Sequence, residues 1–256
     1  MSRGTILVTG GNSGIGLECV RRLAREQRAV IIASRDRKAS AAAVQRVRAE
    51  TGNAAVTEMG LDLGSLAAVR AFAQEIEAQN VPLDAIVCNA GLQTSGAIIR
   101  TPDGFERTFA VNHLGHFLLV NLLLRRLAAH TPSRILIVAS GVHDPKLRTG
   151  MPKPDIGHLD VLATSGGPKA DAFDARLAYV NSKLCNLWFA YELIRRLAAA
   201  GLTSKDRPIS VLHIASHGRF EKDVAHSFVL TYDDKLTMER LDQYVGLFKF
   251  RRDPLE

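Results

Sequence analysis

Long apolar runs are missing from these 256 residues. No stretch approaches the roughly 20 consecutive apolar residues that a helix needs to cross a bilayer. The first apolar run, Ile6–Val8, is too short for a secretory signal core. Cysteine is scarce: Cys19, Cys88 and Cys185 are odd in number, far apart and without metal spacing. That argues against a disulfide framework and a zinc site, and for reduced buried thiols. Basic blocks interleaved with aromatics are lacking too, although the formal charge is +7. Arg21/Arg22, Arg125/Arg126 and Arg195/Arg196 fall on separate helical segments. They read as solvated helix faces rather than a nucleic-acid surface. His113 and His116 could face the same way on a helix, but no carboxylate pattern joins them, so no metal is expected. The expectation is a soluble, cytoplasmic protein with no membrane span and no nucleic-acid partner.

Repeats are absent, and no linker is rich enough in Pro, Gly or Ser to divide domains. What is present is apolar content of 46%, enough for a full core. Short runs rich in Val and Ile occur at Ile6–Val8, Val30–Ala33, Ala55–Met59, Ala85–Val87, Ile135–Ala139 and Ile209–Ile214. They read as buried parallel strands. Helical spacing fills the intervals at Ile15–Gln27, Lys38–Glu50, Leu66–Gln79, Glu106–Ala129 and Ala178–Ala199. Such alternation predicts an α/β fold, a doubly wound parallel sheet of Rossmann type with helices on both faces. Gly141 to Ala175, with four prolines and Gly166-Gly167, reads as a long irregular loop.

The turn Thr9-Gly10-Gly11-Asn12-Ser13-Gly14-Ile15-Gly16 follows the first strand and opens the first helix. Glycines at 10, 14 and 16 permit a tight turn, close approach of a phosphate and tight helix–strand packing. The helix N-terminus then faces a pyrophosphate. This points to a nicotinamide dinucleotide. The second strand ends at Ser34-Arg35-Asp36. An acid at a strand tip suits a ribose hydroxyl, whereas Arg accommodates a 2′-phosphate. Arg35, reinforced by Arg37 and Lys38, favours NADP(H); Asp36 is the counter-argument. Tyr179 and Lys183 lie four apart and share one helical face. A tyrosine with a pKa of about 10 must drop by about three pH units, roughly 4 kcal/mol, to act near neutrality. A lysine a few ångströms away in a low-dielectric cleft, with an oxidised nicotinamide nearby, can supply that order of energy.

Together these motifs resemble the short-chain dehydrogenase/reductase family. The resemblance rests on the Thr9–Gly16 turn, Asn89-Ala90-Gly91, Asn112 within Val111–Phe117, Ser140, and Tyr179-x-x-x-Lys183, all in order. It covers about residues 4 to 213. Asp103-Gly104-Phe105-Glu106 and Ser182-Lys183-Leu184-Cys185-Asn186 are similar to the branch holding retinol dehydrogenases and light-dependent protochlorophyllide reductases. The resemblance implies that Asn89, Ala90 and Gly91 border the adenine ribose. It places Asp62, beside Leu63, on the adenine ring. Asn112 would open a helix for a water relay to Lys183. Ser140 would bind the substrate oxygen, Tyr179 would exchange the proton, and Lys183 would hold the nicotinamide ribose. The expected cofactor set is therefore Gly10, Asn12, Ser13, Gly14, Ile15, Gly16, Arg35, Asp62, Leu63, Asn89, Ala90, Gly91, Tyr179 and Lys183. The catalytic set is Asn112, Ser140, Tyr179 and Lys183.

Two departures stand out. The long interval between Ser140 and Tyr179 suits the retinol dehydrogenase branch and would border a substrate cleft. After His213, where the family has Pro-Gly, this chain reads Ile214-Ala215-Ser216-His217-Gly218. Beyond it, residues 219–256 alternate charges with scattered apolar residues and predict at best a short strand or helix. Residues 1–218 are thus expected to form the dinucleotide-binding and catalytic domain, with 219–256 an atypical segment and the last strand of the sheet missing. The nicotinamide end would be held less firmly than the adenine end, which weakens transfer. The reading is an NADP(H)-dependent oxidoreductase acting on an alcohol, carbonyl or activated double bond of an apolar small molecule. Its alternative is a dinucleotide-binding regulatory protein without turnover. Trp188, Phe189, Tyr191, Ile194 and Leu197 read as core or subunit contacts, compatible with a homo-oligomer.

Overall fold

The structure, a computed structural model, describes residues 4–130, 132–144, 146, 148–155, 157, 162, 173–203, 209–214, 217–219, 228–230 and 235–237. The six apolar runs form strands β1 (Thr5–Thr9), β2 (Ala29–Ser34), β3 (Val56–Gly60), β4 (Leu83–Cys88), β5 (Ser133–Val138) and β6 (Ile209–Ile214). They pair in parallel in the order β3-β2-β1-β4-β5-β6. The order reverses between β1 and β4, which opens a crevice at the carboxyl ends of those strands.

Residues of alternating parity feed two cores, because successive strand side chains point to opposite faces. Leu7, Ile31, Ile86 and Ile135 pack with Phe72, Leu123 and Phe189 on one face. Ile6, Val8, Val30, Ile32 and Val87 pack with Leu17, Val20 and Val44 on the other. Within Ile6–Val8 of β1, Val30–Ala33 of β2 and Ala85–Val87 of β4, neighbours along the strand are therefore both apolar, while the edge strand β3 carries Thr57 and Glu58.

The helices are α1 (Gly14–Arg25), α2 (Arg37–Thr51), α3 (Leu66–Ala78), α4 (Arg107–Phe109), α5 (Gly115–Ala129) and α6 (Ala175–Ala199). Asp36 starts α2 by accepting from the Ala39 amide at 2.9 Å, and Gly52 ends it at φ 68°. Asp174 accepts from the Arg176 amide at 2.7 Å, so α6 begins at Ala175, ahead of the expected Ala178.

The single helix expected over Glu106–Ala129 is interrupted. A wider π turn, Ala110–Leu114, separates α4 from α5. The buried Glu106 carboxylate fixes the start, accepting from the Thr108 and Phe109 amides at 2.8 and 2.7 Å. Side chains then occupy the Asn112 carbonyl inside the π turn: His116 at 3.1 Å and Asn186 at 3.1 Å.

The stretch expected as a loop holds a 3₁₀ turn, Gly141–His143. Much of it lies outside the described residues. It is anchored twice: Glu106 N–H donates to the Leu162 carbonyl at 2.8 Å, and Asn181 pairs with the Asp155 backbone at 3.0 and 2.8 Å. The C-terminal region differs from the expected lone strand or helix. It contains β7 (His217–Arg219), β8 (Phe228–Leu230) and β9 (Lys235–Thr237), a three-stranded antiparallel sheet separate from the main one. Among the described residues the main sheet has six strands and no seventh. The expected division between residues 218 and 219 falls within β7. Ala215 and Ser216, in the segment that replaces Pro-Gly, lie outside the described residues.

Candidate functional site

An open groove runs across the carboxyl ends of β1, β2 and β4. Gly10, Asn12, Ser13, Gly14, Ile15 and Gly16 line its floor, with Arg35 at one side. Asp62, Leu63, Asn89, Ala90 and Gly91 of the expected set line it too, whereas Tyr179 and Lys183 are not among its lining residues. Ala33, Ser34, Leu61, Leu92 and Val111 also line the groove and were not singled out by the sequence. Their signal was available only as position, at a strand tip or beside a named motif.

The glycine turn has the geometry a phosphate requires. A Cβ on Gly16 would lie 2.3 Å from the Gly10 carbonyl oxygen, so α1 can approach the turn only with glycine there. Gly14 has φ 54°, and nothing stands within 4 Å of its missing Cβ. Ser13 caps α1 without a side-chain bond to the helix amides. Room and unclaimed donors at the positive end of α1 together fit a pyrophosphate. The turn is braced from β4. Thr9 Oγ1 accepts from the Asn89 and Ala90 amides at 2.9 and 3.0 Å, and Asn89 Nδ2 donates to the Thr9 carbonyl at 3.0 Å.

At the β2 tip, Arg35 and Lys38 are exposed. Asp36 also lines the groove, but one carboxylate oxygen is engaged as the α2 cap. Arg37 adds less positive field than expected, because its guanidinium pairs with Glu58 at 3.2 Å. Asp62 Oδ1 accepts from the Gly64 amide at 2.8 Å, which shapes the turn after β3.

Where the groove passes Gly91 and Leu92 it meets a buried polar cluster. Asn112 clasps the Leu92 backbone, accepting from its amide at 2.8 Å and donating to its carbonyl at 2.9 Å. Asn112 Nδ2 also donates to Ser182 Oγ at 3.1 Å. Lys183 is 4% exposed and its Nζ donates to the Val138 carbonyl at 3.3 Å. A Cβ on Gly91 would lie 3.6 Å from that Nζ and 3.3 Å from Asn112 Oδ1. Ser140, 2% exposed at the end of β5, shares a side-chain hydrogen bond with Tyr179. Asn112, Ser140, Tyr179 and Lys183 thus come from three separate parts of the chain to one place.

The electrostatics differ from expectation at Tyr179. Its phenol is pushed above the usual value by burial, with the Ser140 hydrogen bond opposing. Lys183 is brought to about 8 by burial, and its ammonium stands 5.6 Å from the Tyr179 ring centre. Burial therefore outweighs the Ser140 hydrogen bond in this arrangement. Two neighbours went unassigned in the sequence. His116 and Asn186 both donate to the Asn112 carbonyl, and Asn186 also reaches Val138 at 3.2 Å. Helical spacing could have found Asn186, since positions 179, 182, 183 and 186 share a face of α6. His116 could not be found that way, because its other partner, Thr9, is remote in sequence.

Among the described residues no group of His, Cys, Asp and Glu could hold a metal. Also among them, no helix is long and apolar enough to cross a membrane. Cys19, Cys88 and Cys185 are free thiols; Cys88 and Cys185 are buried, while Cys19 is partly accessible.

A family model described as short chain dehydrogenase matches residues 4–149. The chain is 41% identical over 218 residues to a WW domain-containing oxidoreductase of Gallus gallus, covering 85% of this chain and 51% of the relative. It is 39% identical over 199 residues to retinol dehydrogenase 13 of Homo sapiens, covering 78% and 56%. The chain thus spans about half the length of the curated relatives it matches. An uncharacterised protein of Mycobacterium paratuberculosis superposes with TM-score 0.65 at 36% identity, covering 83% of this chain and 68% of that one. A short-chain dehydrogenase of Sphingobium yanoikuyae, solved with NADPH, shares the fold with TM-score 0.64 at 22% identity, covering 98% and 85%. Motif order, sheet order and these likenesses agree: the chain belongs to the short-chain dehydrogenase family, on its retinol dehydrogenase-like branch.

Proposed function

We propose that the chain is an NADP(H)-dependent oxidoreductase acting on an alcohol or carbonyl, or an activated double bond, of an apolar small molecule. The observation that carries this reading is the Ser140–Tyr179 hydrogen bond with the Lys183 ammonium 5.6 Å from the same ring. The bound dinucleotide supplies or takes the hydride. Gly10 to Gly16 would hold its pyrophosphate, and Asp62, Leu63, Asn89, Ala90 and Gly91 its adenosine side. Ser140 orients the substrate oxygen and stabilises charge that develops on it. The Tyr179 hydroxyl gives that oxygen a proton in reduction and takes it back in oxidation. Lys183 holds the nicotinamide ribose and stabilises the tyrosinate once a proton has left. Asn112 keeps Leu92 and the π turn in place beside Lys183 and opens the helix for a water relay to it.

Preference for the 2′-phosphate rests on Arg35, exposed at the groove edge. One oxygen of the Asp36 carboxylate, a group that would suit a ribose hydroxyl, is engaged in capping α2. The Ser140, Tyr179 and Lys183 set favours turnover over a dinucleotide-binding regulator. Residues 1–218 are the proposed catalytic unit, and the cytoplasm its proposed compartment. A second copy of the chain is the proposed partner for the face of α5 and α6 that exposes Phe117, Trp188, Tyr191 and Ile194.

Calorimetric titration with NADPH and NADH, followed by a carbonyl screen read as loss of NADPH absorbance, tests the reading. Tighter binding of NADPH and turnover of apolar ketones or aldehydes are expected. Equal affinity for both dinucleotides would remove the NADP(H) assignment. Binding without turnover across the screen would favour the regulatory alternative.

A further inference from the structure

We propose that His116 is a positioning residue that ties the cofactor turn to the seat of the catalytic lysine through one fixed ring tautomer. The inference rests on the oxidoreductase reading for its consequence, but not for its geometry. His116 is 1% exposed, and both ring nitrogens have partners. Nδ1 is 3.1 Å from the Asn112 carbonyl oxygen, and Nε2 is 2.8 Å from Thr9 Oγ1. A carbonyl only accepts, so Nδ1 carries the proton.

The assignment of Nε2 follows by counting at Thr9. A hydroxyl has one proton and two acceptor lone pairs. The Asn89 and Ala90 amides, at 2.9 and 3.0 Å, take the lone pairs. The proton remains, with Nε2 at 2.8 Å or the Val87 carbonyl at 3.2 Å as acceptors. Donation to Nε2 satisfies every group. Protonation of Nε2 would instead aim a third N–H at an oxygen with no lone pair left. The ring is therefore held neutral, with Nδ1 as donor and Nε2 as acceptor.

This tautomer completes a continuous path. Thr9 holds Asn89 and Ala90 at the groove and donates to His116. His116 donates to the Asn112 carbonyl, which also accepts from Asn186 at 3.1 Å. Asn186 donates in turn to the Val138 carbonyl, the same oxygen that receives Lys183 Nζ. The turn that would hold the cofactor and the lysine that would act on it are thus joined by hydrogen bonds of defined direction. The charged or titratable groups that act on the ring among the described residues are Lys183 on α6 and His113 in the π turn; both oppose a charge on it, as does burial.

Ring-nitrogen NMR of the full-length chain, labelled at histidine, reads the tautomer directly. The expected spectrum of His116 shows a protonated Nδ1 and a bare Nε2, unchanged from pH 6 to pH 9 and present with or without NADPH. Thr9→Val should mobilise or reverse the tautomer, whereas Thr9→Ser, which keeps the hydroxyl, should restore it. NADPH affinity should fall about tenfold in Thr9→Val and recover in Thr9→Ser, the scale of one buried hydrogen bond. An Nε2-protonated or charged ring in the wild-type chain would overturn the proposal, as would a Thr9→Val spectrum identical to wild type. If wild type failed to bind NADPH, the functional reading would fall while the spectrum still decided the tautomer.

Discussion

Lys183 Nζ lies 5.6 Å from the centre of the Tyr179 ring, one turn along α6, and is tethered to the Val138 carbonyl at 3.3 Å. The tether holds the ammonium beside the ring, 3.6 Å from where a Cβ on Gly91 would lie. Burial depresses the lysine to about 8 and raises the phenol. Each group is thus shifted towards its neutral form.

Tyr179→Phe should leave fold and NADPH affinity intact and remove most turnover, because only the hydroxyl is lost. Lys183→Met should lose turnover and NADPH affinity together. It should also make the cofactor-free chain more stable. A lysine whose folded pKa is depressed from 10.5 to about 8 carries its full burial cost below pH 8, and the cost fades between 8 and 10.5. At pH 7 the gain should reach up to roughly 3 kcal/mol, read from urea midpoints. A destabilised Lys183→Met protein would show that the ammonium is stabilised by its surroundings.

Arg35 and Asp36 separate cofactor choice from helix capping. Arg35→Ala should weaken NADPH binding by about 1.5–3 kcal/mol, roughly 10- to 150-fold, and barely change NADH. Asp36→Ala should cost about 1 kcal/mol of stability through the lost α2 cap. Calorimetry on both variants with both dinucleotides makes the comparison. Equal losses for NADPH and NADH in Arg35→Ala would place the guanidinium away from the 2′-phosphate.

Acid should act through His116. Its folded pKa is pushed down from 6.5 to about 4, burial being the main cause. The unfolded chain therefore binds a proton between pH 6.5 and 4 that the folded chain refuses. Stability contributed by the neutral ring is complete above 6.5, declines as pH falls through this window, and is gone below 4. The size is on the order of 3 kcal/mol. His116→Gln should flatten this part of the stability curve when denaturant midpoints are compared from pH 4 to 7. Parallel curves for the two proteins would show that His116 titrates normally.

Asn181 should govern the long segment before α6. It is 1% exposed and pairs through both amide atoms with the Asp155 backbone. Asn181→Ala should cost about 1–3 kcal/mol and speed tryptic cleavage after the exposed Arg148. Cleavage at the wild-type rate would mean the segment is held elsewhere.

The order of strands and helices was legible in the sequence because parallel strands covered on both faces must be apolar throughout, and helices must show their spacing. The glycine turn, Asn89-Ala90-Gly91 and the Tyr179–Lys183 pair were legible because each is a local pattern with a local physical cause. The break in the helix after Glu106 was not, since it depends on His116 and Asn186 occupying the Asn112 carbonyl. Nor was the rise in the Tyr179 pKa, which follows from how deeply the phenol is buried. The three short strands after β6 escaped as well, because segments of three residues carry too little periodicity to read.

By itself, then, the sequence determined the layered fold, the place where a dinucleotide would enter and the residue types available for proton transfer. Only the tertiary structure decided which of these groups touch, where the buried protons lie and how far burial shifts them. Periodicity and motif spacing are properties of neighbours along the chain. Hydrogen-bond direction and desolvation depend on groups that folding brings together from distant positions, as Thr9, Asn112 and His116 are.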